Sequence, residues 1–263
     1  MISRHRSGAG VTARMALSLA TSCLALAMVF TSAPDTLAQG RDEKPTNLKV
    51  LPATISHDEL MDVMGSFTRG LGVECNYCHT RREGTTGFDM DFASDKLESK
   101  TVARGMMEMV NKINGTFLAS MKITDTPLVK VQCVTCHHGQ TRPIQLEDLL
   151  REARRRGGMA AVDSTYRDVR KKYYGGAAYD FGERSLVNLA FDVADESNPD
   201  ALKILQINKE FNPESAVNSY ALGKVYVELK DTVNAVTSFK KALELNPNFR
   251  RAQHELDALT GKK

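Results

Sequence analysis

The sequence reads CNYCH at residues 75–79 and CVTCH at residues 133–137. Both stretches have the form C-x-x-C-H, in which two cysteines are separated by two residues and followed at once by a histidine. This form is the attachment signature of haem c. Two thiols at this spacing can reach the two vinyl groups on one edge of a porphyrin, and the histidine is carried under the ring towards the iron. The motifs therefore predict two covalently bound haem c groups.

The two motifs assign roles to six side chains. The thiols that attach porphyrin are predicted to be those of Cys75, Cys78, Cys133 and Cys136, and the proximal iron ligands are predicted to be His79 and His137. No catalytic residue is predicted.

Other uses of the four cysteines remain open as alternatives. A zinc site with four cysteine ligands usually has about 15–20 residues between its two C-x-x-C pairs, whereas residues 79–132 separate the pairs here. Two disulfides would suit an exported protein, but they would not explain the trailing histidines. A thioredoxin-like pair needs a βαβ context that the sequence lacks.

The first 38 residues have the pattern of a secretory signal. Arginines precede an apolar run over residues 15–30, and small residues follow it. The fifth cysteine, Cys23, lies inside this run. We therefore expect residues 1–38 to be a signal peptide and the protein to be periplasmic. The alternative is that the segment is not cleaved and anchors the protein in the membrane.

Each iron needs a second axial ligand, and methionine thioethers suit this role. Residues 57–69 are predicted to form a helix that begins after Ser56 and ends at glycines, which lets the chain turn back and lay the first motif against it. Met64 lies on the apolar face of this helix and is our first choice for the first haem. Met61 is the second choice.

A longer helix is predicted over residues 95–121, ahead of the second motif. It contains Met106, Met107 and Met109. A methionine stripe on a helix is often no more than core packing, because methionine fills irregular gaps. The need for a second ligand favours Met106 for this role, with Met109, on the same face, as second choice and Met107 as a further alternative.

Residues 50–143 resemble the photosynthetic reaction centre cytochrome c subunit family. The resemblance is carried by LGVECNYCH at 71–79, by ARGMMEM at 103–109 and by VQCVTCHHG at 131–139. It implies repeated units of a helix followed by C-x-x-C-H, with a methionine of the helix as sixth iron ligand. That family normally carries four haems, so two motifs correspond to one half of it.

The second half of the chain has a different pattern. Residues 146–175 read as a basic helical connector that breaks at Gly157 and Gly158. From about residue 215, Gly223, Phe239 and Pro247 fall at the positions of a tetratricopeptide repeat. The preceding 34 residues repeat this pattern more faintly. Residues 176–260 are therefore predicted to form a tetratricopeptide-like domain, with a plain helical cap as the alternative.

Taken together, these patterns predict an all-α protein. A helical diheme cytochrome c module at 47–145 is followed by a short α-solenoid. The formal net charge of +3 and the short basic runs do not indicate nucleic-acid binding. We expect an electron carrier, not an enzyme, that exchanges electrons with a protein donor and acceptor, while the repeats bind a peptide or protein. The rival hypotheses are a peroxidase-like two-haem enzyme with one open iron and a haem-bearing assembly scaffold.

Overall fold

The computed structural model describes residues 44–86, 89–121 and 128–261 of the chain. The predicted signal peptide at 1–38 lies outside these residues. Most of the described residues are helical, and the two strands among them form a single short ribbon. The all-α prediction is confirmed at this level.

The described residues form the following helices, in chain order: α1 (His57–Leu71), α2 (Glu98–Lys112), α3 (Cys133–His137), α4 (Leu146–Tyr173), α5 (Glu183–Ala194), α6 (Asn198–Phe211), α7 (Ala216–Glu228), α8 (Thr232–Leu245) and α9 (Arg250–Thr260). Strands β1 (Thr80–Arg81) and β2 (Met90–Asp91) pair antiparallel between α1 and α2. None of the helices in these ranges is long and apolar enough to cross a membrane.

Helix α1 begins where its sequence predicts and ends at Leu71, two residues beyond the predicted end. The Ser56 hydroxyl accepts a hydrogen bond from the backbone N–H of Glu59 at 3.3 Å, and the Glu59 carboxylate accepts one from the backbone N–H of Ser56 at 3.0 Å. This reciprocal pair satisfies two N–H groups at the start of the helix. Gly72 ends the helix in the left-handed region at φ +66°, a conformation that glycine adopts without steric cost.

Helix α2 begins at Glu98 and does not stop at Lys112. The chain continues through a π-helical segment, Ile113–Leu118, so the helix predicted over residues 95–121 begins three residues later than predicted and changes its winding after Lys112. Segments of π-helix are rare and are often found at functional sites. This one precedes the second C-x-x-C-H motif.

Helix α4 bends at Gly157 and Gly158, whose backbone angles are not helical. The predicted break in the connector is therefore observed. Three arginines of α4 form ion pairs with carboxylates of the same chain: Arg151 with Asp148 and Asp192, Arg154 with Glu196 and Asp200, and Arg167 with Asp163 and Glu210. Part of the positive charge of α4 is thus neutralised within the chain.

The main hydrophobic core lies in the C-terminal half. Side chains from α4 to α7 form one buried cluster, which includes Leu150, Tyr166 and Leu205. A second cluster joins α7, α8 and α9 around Phe239. Helices α7 and α8 approach closely because Gly223 has no side chain: a Cβ there would lie 2.5 Å from the Phe239 ring.

Residues 44–145 bury far fewer apolar side chains than the C-terminal half. Among the described residues of this module, Met90 is the one apolar side chain that is fully buried, whereas the other buried apolar side chains all follow residue 145. Large apolar side chains are instead exposed along the module, including Met61, Val102, Phe117 and Val134. Residues 44–145 therefore bury little of the apolar surface whose burial drives folding.

Candidate haem sites

The first motif folds into one tight turn directly after α1. The backbone N–H groups of Cys78 and His79 both donate to the carbonyl oxygen of Cys75, at 3.2 and 3.0 Å. Residues 75–77 form a 3₁₀ turn, and side chains three residues apart project from the same side of such a turn. The local backbone therefore presents the thiols of Cys75 and Cys78 together, with the imidazole of His79 next to them.

The N-terminal end of α2 fixes this turn in place. The Ser99 hydroxyl donates to the carbonyl of Tyr77. The Lys100 ammonium donates to the carbonyl oxygens of Phe92 and Ser94, both at 2.8 Å. The chain that follows the first motif is thereby tied to the helix that precedes the second.

The His79 ring is half-buried and packs edge-on against Phe92, with ring centroids 5.1 Å apart. Its Nδ1 atom is buried and has no hydrogen-bond partner among the described residues. Burial lowers the pKa of His79, and the positive charge of Lys100 lowers it further. Both effects disfavour the protonated imidazole, and the neutral imidazole is the form that binds a metal ion.

Asp95 is the centre of a charged cluster beside this site. Its carboxylate contacts the ammonium groups of Lys49 at 2.7 Å and Lys100 at 3.2 Å, and the guanidinium of Arg104 at 2.9 Å. The hydrogen bond from Lys49, together with those from Asn47, Lys100 and Arg104, holds the pKa of Asp95 well below its usual range. The cluster joins the segment at 47–49 to α2 and carries more positive than negative charge.

The second motif forms the short helix α3 and is held by the π-helical segment. The side-chain amide of Asn114 donates to the carbonyl of Val131, and its oxygen accepts from the Val131 backbone N–H, both at 2.8 Å. Val131 lies two residues before Cys133. Asn114 therefore fixes the position of the backbone just before the motif.

The motif that packs against the end of α1 is the second one. The backbone N–H of Gly139 donates to the carbonyl of Gly70 at 2.9 Å. A Cβ at Gly70 would lie 3.1 Å from the Cβ of Cys133, and a Cβ at Gly72 would lie 2.1 Å from the Gly139 carbonyl oxygen. The expectation that the chain turns back to lay the first motif on α1 needs this correction, because the three glycines let α3 approach instead.

His137 has the partner that an iron ligand needs. Its Nδ1 atom lies 2.7 Å from the carbonyl oxygen of Gln140. Because a carbonyl oxygen can only accept, Nδ1 must carry the proton, which leaves the lone pair of Nε2 free to bind a metal. Metal-ligating histidines commonly donate their other N–H to a backbone carbonyl in this way.

The four thiols fit haem attachment better than the alternatives. Cys75, Cys78, Cys133 and Cys136 are all free in the structure. Within the described ranges, no three or more His, Cys, Asp or Glu side chains are gathered where they could hold one metal ion. The two pairs therefore do not converge on a common zinc site, and each pair keeps its own adjacent histidine.

The candidate distal ligands occupy two kinds of position. On α1, Met64 is half-buried and Met61 is 54% exposed. On α2, Met106 and Met109 are 42% and 46% exposed, whereas Met107 is half-buried. Met107 is therefore less exposed than Met106 and Met109, the other two methionines of α2.

Sequence reasoning missed several residues that shape these sites. Gly70, Gly139, Gln140 and Lys100 act through contacts with residues that are distant in sequence or through their main chain. No local pattern marks such contacts. The left-handed conformation of Gly139, at φ +84°, was the one feature that a glycine two residues after the motif could have indicated.

Comparison with known proteins identifies the family of this segment. Residues 18–148 match the family described as photosynthetic reaction centre cytochrome C subunit. The N-terminal half of the chain belongs to this family. Membership implies covalently bound haem c, in agreement with the motifs and with the geometry of His137.

Individual relatives support the same assignment. Cytochrome c-554 of Chloroflexus aurantiacus is 32% identical over 93 residues, which is 35% of this chain and 20% of the relative. The photosynthetic reaction center cytochrome c subunits of Rubrivivax gelatinosus and Roseobacter denitrificans are 31% and 30% identical over 102 residues, which is 38% of this chain and 24% and 25% of theirs. The chain spans a quarter or less of the length of these curated relatives.

Proposed function

We propose that this protein is an exported diheme c-type cytochrome that passes electrons between protein partners. The observation that carries the proposal is the packing of residues 44–145. Two C-x-x-C-H turns are held around the end of α1 in a module whose described residues bury Met90 alone as a full apolar core side chain. When bound, haem supplies one-electron chemistry at iron. Its porphyrin would also supply the apolar interior that the side chains do not.

The two attachment sites are close together, which suits transfer of electrons between them. Cys133 contacts Gly70, and Cys75 lies five residues after Gly70. Five residues span at most about 18 Å even when fully extended. A single short segment of chain thus separates the two sites.

For the first haem we propose Met64 as the distal ligand. Helix α1 contacts the second motif through Gly70, and Met64 lies about 120° around the helix from Gly70. The contact with α3 therefore does not use the face that carries Met64. Met61 shares that face more loosely and is the more exposed of the two.

For the second haem we propose a ligand from the exposed stripe of α2. Val102, Met106 and Met109 follow one another at helical spacing on this stripe, and all three are exposed. Gly105 lies on the same side, and a Cβ at this position would meet nothing within 4 Å. Met109 lies one helical turn after Gly105, so the neighbouring position on this face carries no side chain that would compete for the space. This geometry favours Met109, while Met106, the first choice from sequence, lies at the edge of the stripe.

For the C-terminal half we propose a tetratricopeptide-like domain that binds a protein or peptide. The support is the pair of helical hairpins α5–α6 and α7–α8, the close contact of Gly223 with Phe239, and the final helix α9. Stacked helical hairpins commonly present extended binding surfaces. The arginines of α4 that form internal ion pairs are less available to an acidic partner.

The test of the main proposal is the mass and optical spectrum of protein produced in a host that matures c-type cytochromes. We expect the mass of two covalently added haems and a reduced spectrum of two low-spin irons that do not bind carbon monoxide. A mass without added haem would contradict the proposal. A high-spin iron that binds carbon monoxide would instead support the two-haem enzyme.

A further inference from the structure

Gln140 is the residue at which the second haem motif meets the C-terminal helices. Its backbone carbonyl accepts the hydrogen bond from Nδ1 of His137 at 2.7 Å, and its backbone N–H donates to the carbonyl of His137 at 2.8 Å. The residue as a whole is 6% exposed, and Nε2 of its side chain donates to the carbonyl of Ala178 at 2.6 Å. One residue thus holds the candidate iron ligand with its main chain and the C-terminal half with its side chain.

The segment that carries Ala178 is firmly attached to the C-terminal core. The ring of Tyr179 packs against Tyr173 and Phe181, with centroids 5.4 and 5.9 Å apart. Phe181 in turn packs edge-on against Tyr166, at 6.0 Å. A displacement of these helices would therefore move the carbonyl of Ala178.

A cleft of about 450 Å³ lies where the two parts meet. Cys136 and Gln140 line one side of it, and Ala178, Tyr179 and Ser185 line the other. The hydrogen bond from Gln140 to Ala178 joins the two sides. Because the rest of this cleft is open, this hydrogen bond directly connects the wall that carries Gln140 to the wall that carries Ala178.

We propose that Gln140 is a positioning residue through which the C-terminal helices adjust the reduction potential of the second haem. This inference rests on the proposed function. A hydrogen bond from Nδ1–H to a carbonyl makes the imidazole a more basic ligand, and a more basic ligand favours ferric iron and a lower potential. A partner that shifts the segment at 177–181 would change this hydrogen bond. The first haem would be unaffected, because His79 has no equivalent link among the described residues.

The direct test is Gln140→Met in the full-length haem protein. This variant keeps the length of the side chain and the backbone carbonyl, but it removes the donor to Ala178. We expect the midpoint potential of one haem to rise while that of the other stays unchanged, with both irons still low-spin. Thr141→Ala, at the exposed neighbouring position, is the control and should leave both potentials at their original values.

A second variant approaches the link from the C-terminal side. Tyr179→Leu loosens the segment of Ala178 without touching the motif, and it should shift the same haem in the same direction. Phe239→Leu, which weakens the core of α7 to α9, should not shift the potential of this haem. If Gln140 is the link, then Tyr179→Leu will cause no further shift in protein that already carries Gln140→Met.

The experiments distinguish a failure of the role proposed for Gln140 from a failure of the proposed function. Variants that carry two haems by mass but keep both potentials unchanged would overturn the role of Gln140 and leave the proposed function standing. Parent protein without haem would overturn the proposed function itself. If Gln140→Met does not fold, Tyr179→Leu decides the question by the same measurement.

Discussion

At the scale of single residues, the two candidate iron ligands are held in different ways. His137 is oriented by a hydrogen bond from Nδ1 to a backbone carbonyl. His79 is oriented by packing against Phe92, and its Nδ1 lacks a partner among the described residues. Since a hydrogen-bonded imidazole is the more basic ligand, two motifs of identical form would give bound irons different surroundings.

The methionine ligand of the second haem gives the sharpest prediction at this scale. We expect Met109→Ala to leave one iron without its sixth ligand, because Met109 lies one helical turn after Gly105, where no side chain competes for the exposed face. One of the two haems should become high-spin and bind carbon monoxide, as measured by optical and electron paramagnetic resonance spectra. The other haem should remain low-spin.

Two neighbouring substitutions complete this experiment. Met107→Ala is the matched control, since Met107 is half-buried away from the stripe, and it should leave both irons low-spin. Should Met106→Ala alone produce the high-spin iron, the ligand is Met106 and the argument from Gly105 is wrong. Two low-spin irons in all three variants would exclude this stripe of α2 as the source of the ligand.

Asp95 provides a prediction about pH. Its pKa is lowered in the folded protein by hydrogen bonds from Lys49 and its other partners, whereas the unfolded chain has a carboxyl pKa of about 3.9. Its contribution to stability is therefore complete above about pH 4 and is lost as the pH falls towards the lower folded value. Asp95→Asn should be less stable than the parent at pH 7, and the difference should shrink in acid.

Urea unfolding at pH 7 and at pH 3 would measure this difference. Asp62→Asn is a suitable control, because Asp62 is an exposed carboxylate of α1 with no ion pair among the described residues. A difference between the Asp95→Asn variant and its parent that is the same at both pH values would contradict the electrostatic explanation. The difference at pH 7 should also decrease at high salt, because the pairs are partly exposed.

At the scale of elements, the C-terminal end of α1 is the junction of the cytochrome module. The second motif contacts it through Gly70 and Gly139, and the first motif follows it within a few residues. Close approach of two backbones needs residues without side chains. The glycines at this point therefore determine how the two haem sites are placed relative to each other.

Gly72 and Gly84 both have a positive φ, and a comparison of the two distinguishes the cost of the left-handed conformation from the cost of a steric clash. A Cβ at Gly84, where φ is +78°, would meet nothing within 4 Å, whereas a Cβ at Gly72 would collide with the Gly139 carbonyl oxygen. We expect Gly84→Ala to cost about 1–2 kcal/mol from the left-handed conformation alone. Gly72→Ala should cost about 2–5 kcal/mol, because overpacking is added to the same conformational cost.

Denaturant unfolding of the two haem-loaded variants would give these free energies. Gly72→Ala should also alter the spectrum of the second haem, since it displaces the chain that carries His137, and Gly84→Ala should not. Equal loss of stability in both variants would mean that the contact between α1 and the second motif does not hold the module together.

The sequence predicts elements better than it predicts their contacts, and α1 shows why. Its start follows from Ser56 and Glu59, and its end follows from glycine, because both signals act within one helical turn. The approach of α3 to Gly70 depends on residues more than 60 positions apart. The hydrogen bond of Gln140 to Ala178 is equally non-local. Neither contact leaves a periodic trace, so the haem motifs could be predicted while their arrangement could not.

At the scale of the whole molecule, the two halves are stabilised by different means. The C-terminal helices bury two clusters of apolar side chains, one from α4 to α7 and one from α7 to α9. The module at 44–145 leaves most of its large apolar side chains partly or fully exposed. Because burial of apolar surface is the main driving force of folding, we expect the first half to depend on its porphyrins and the second half to be independent of them.

This difference predicts how the protein behaves without haem. Replacing Cys75, Cys78, Cys133 and Cys136 together by serine removes covalent attachment. In hydrogen exchange measured by mass spectrometry, α1 to α3 should lose most of their protection, while α5 to α9 keep theirs. Gly223→Ala in the haem-loaded protein is the converse control, because its Cβ would meet Phe239 at 2.5 Å. It should lower protection in α7 and α8 and leave α1 to α3 unchanged. Full protection of α1 to α3 in the serine variant would show that the module has a core of its own and that haem is not needed to fold it.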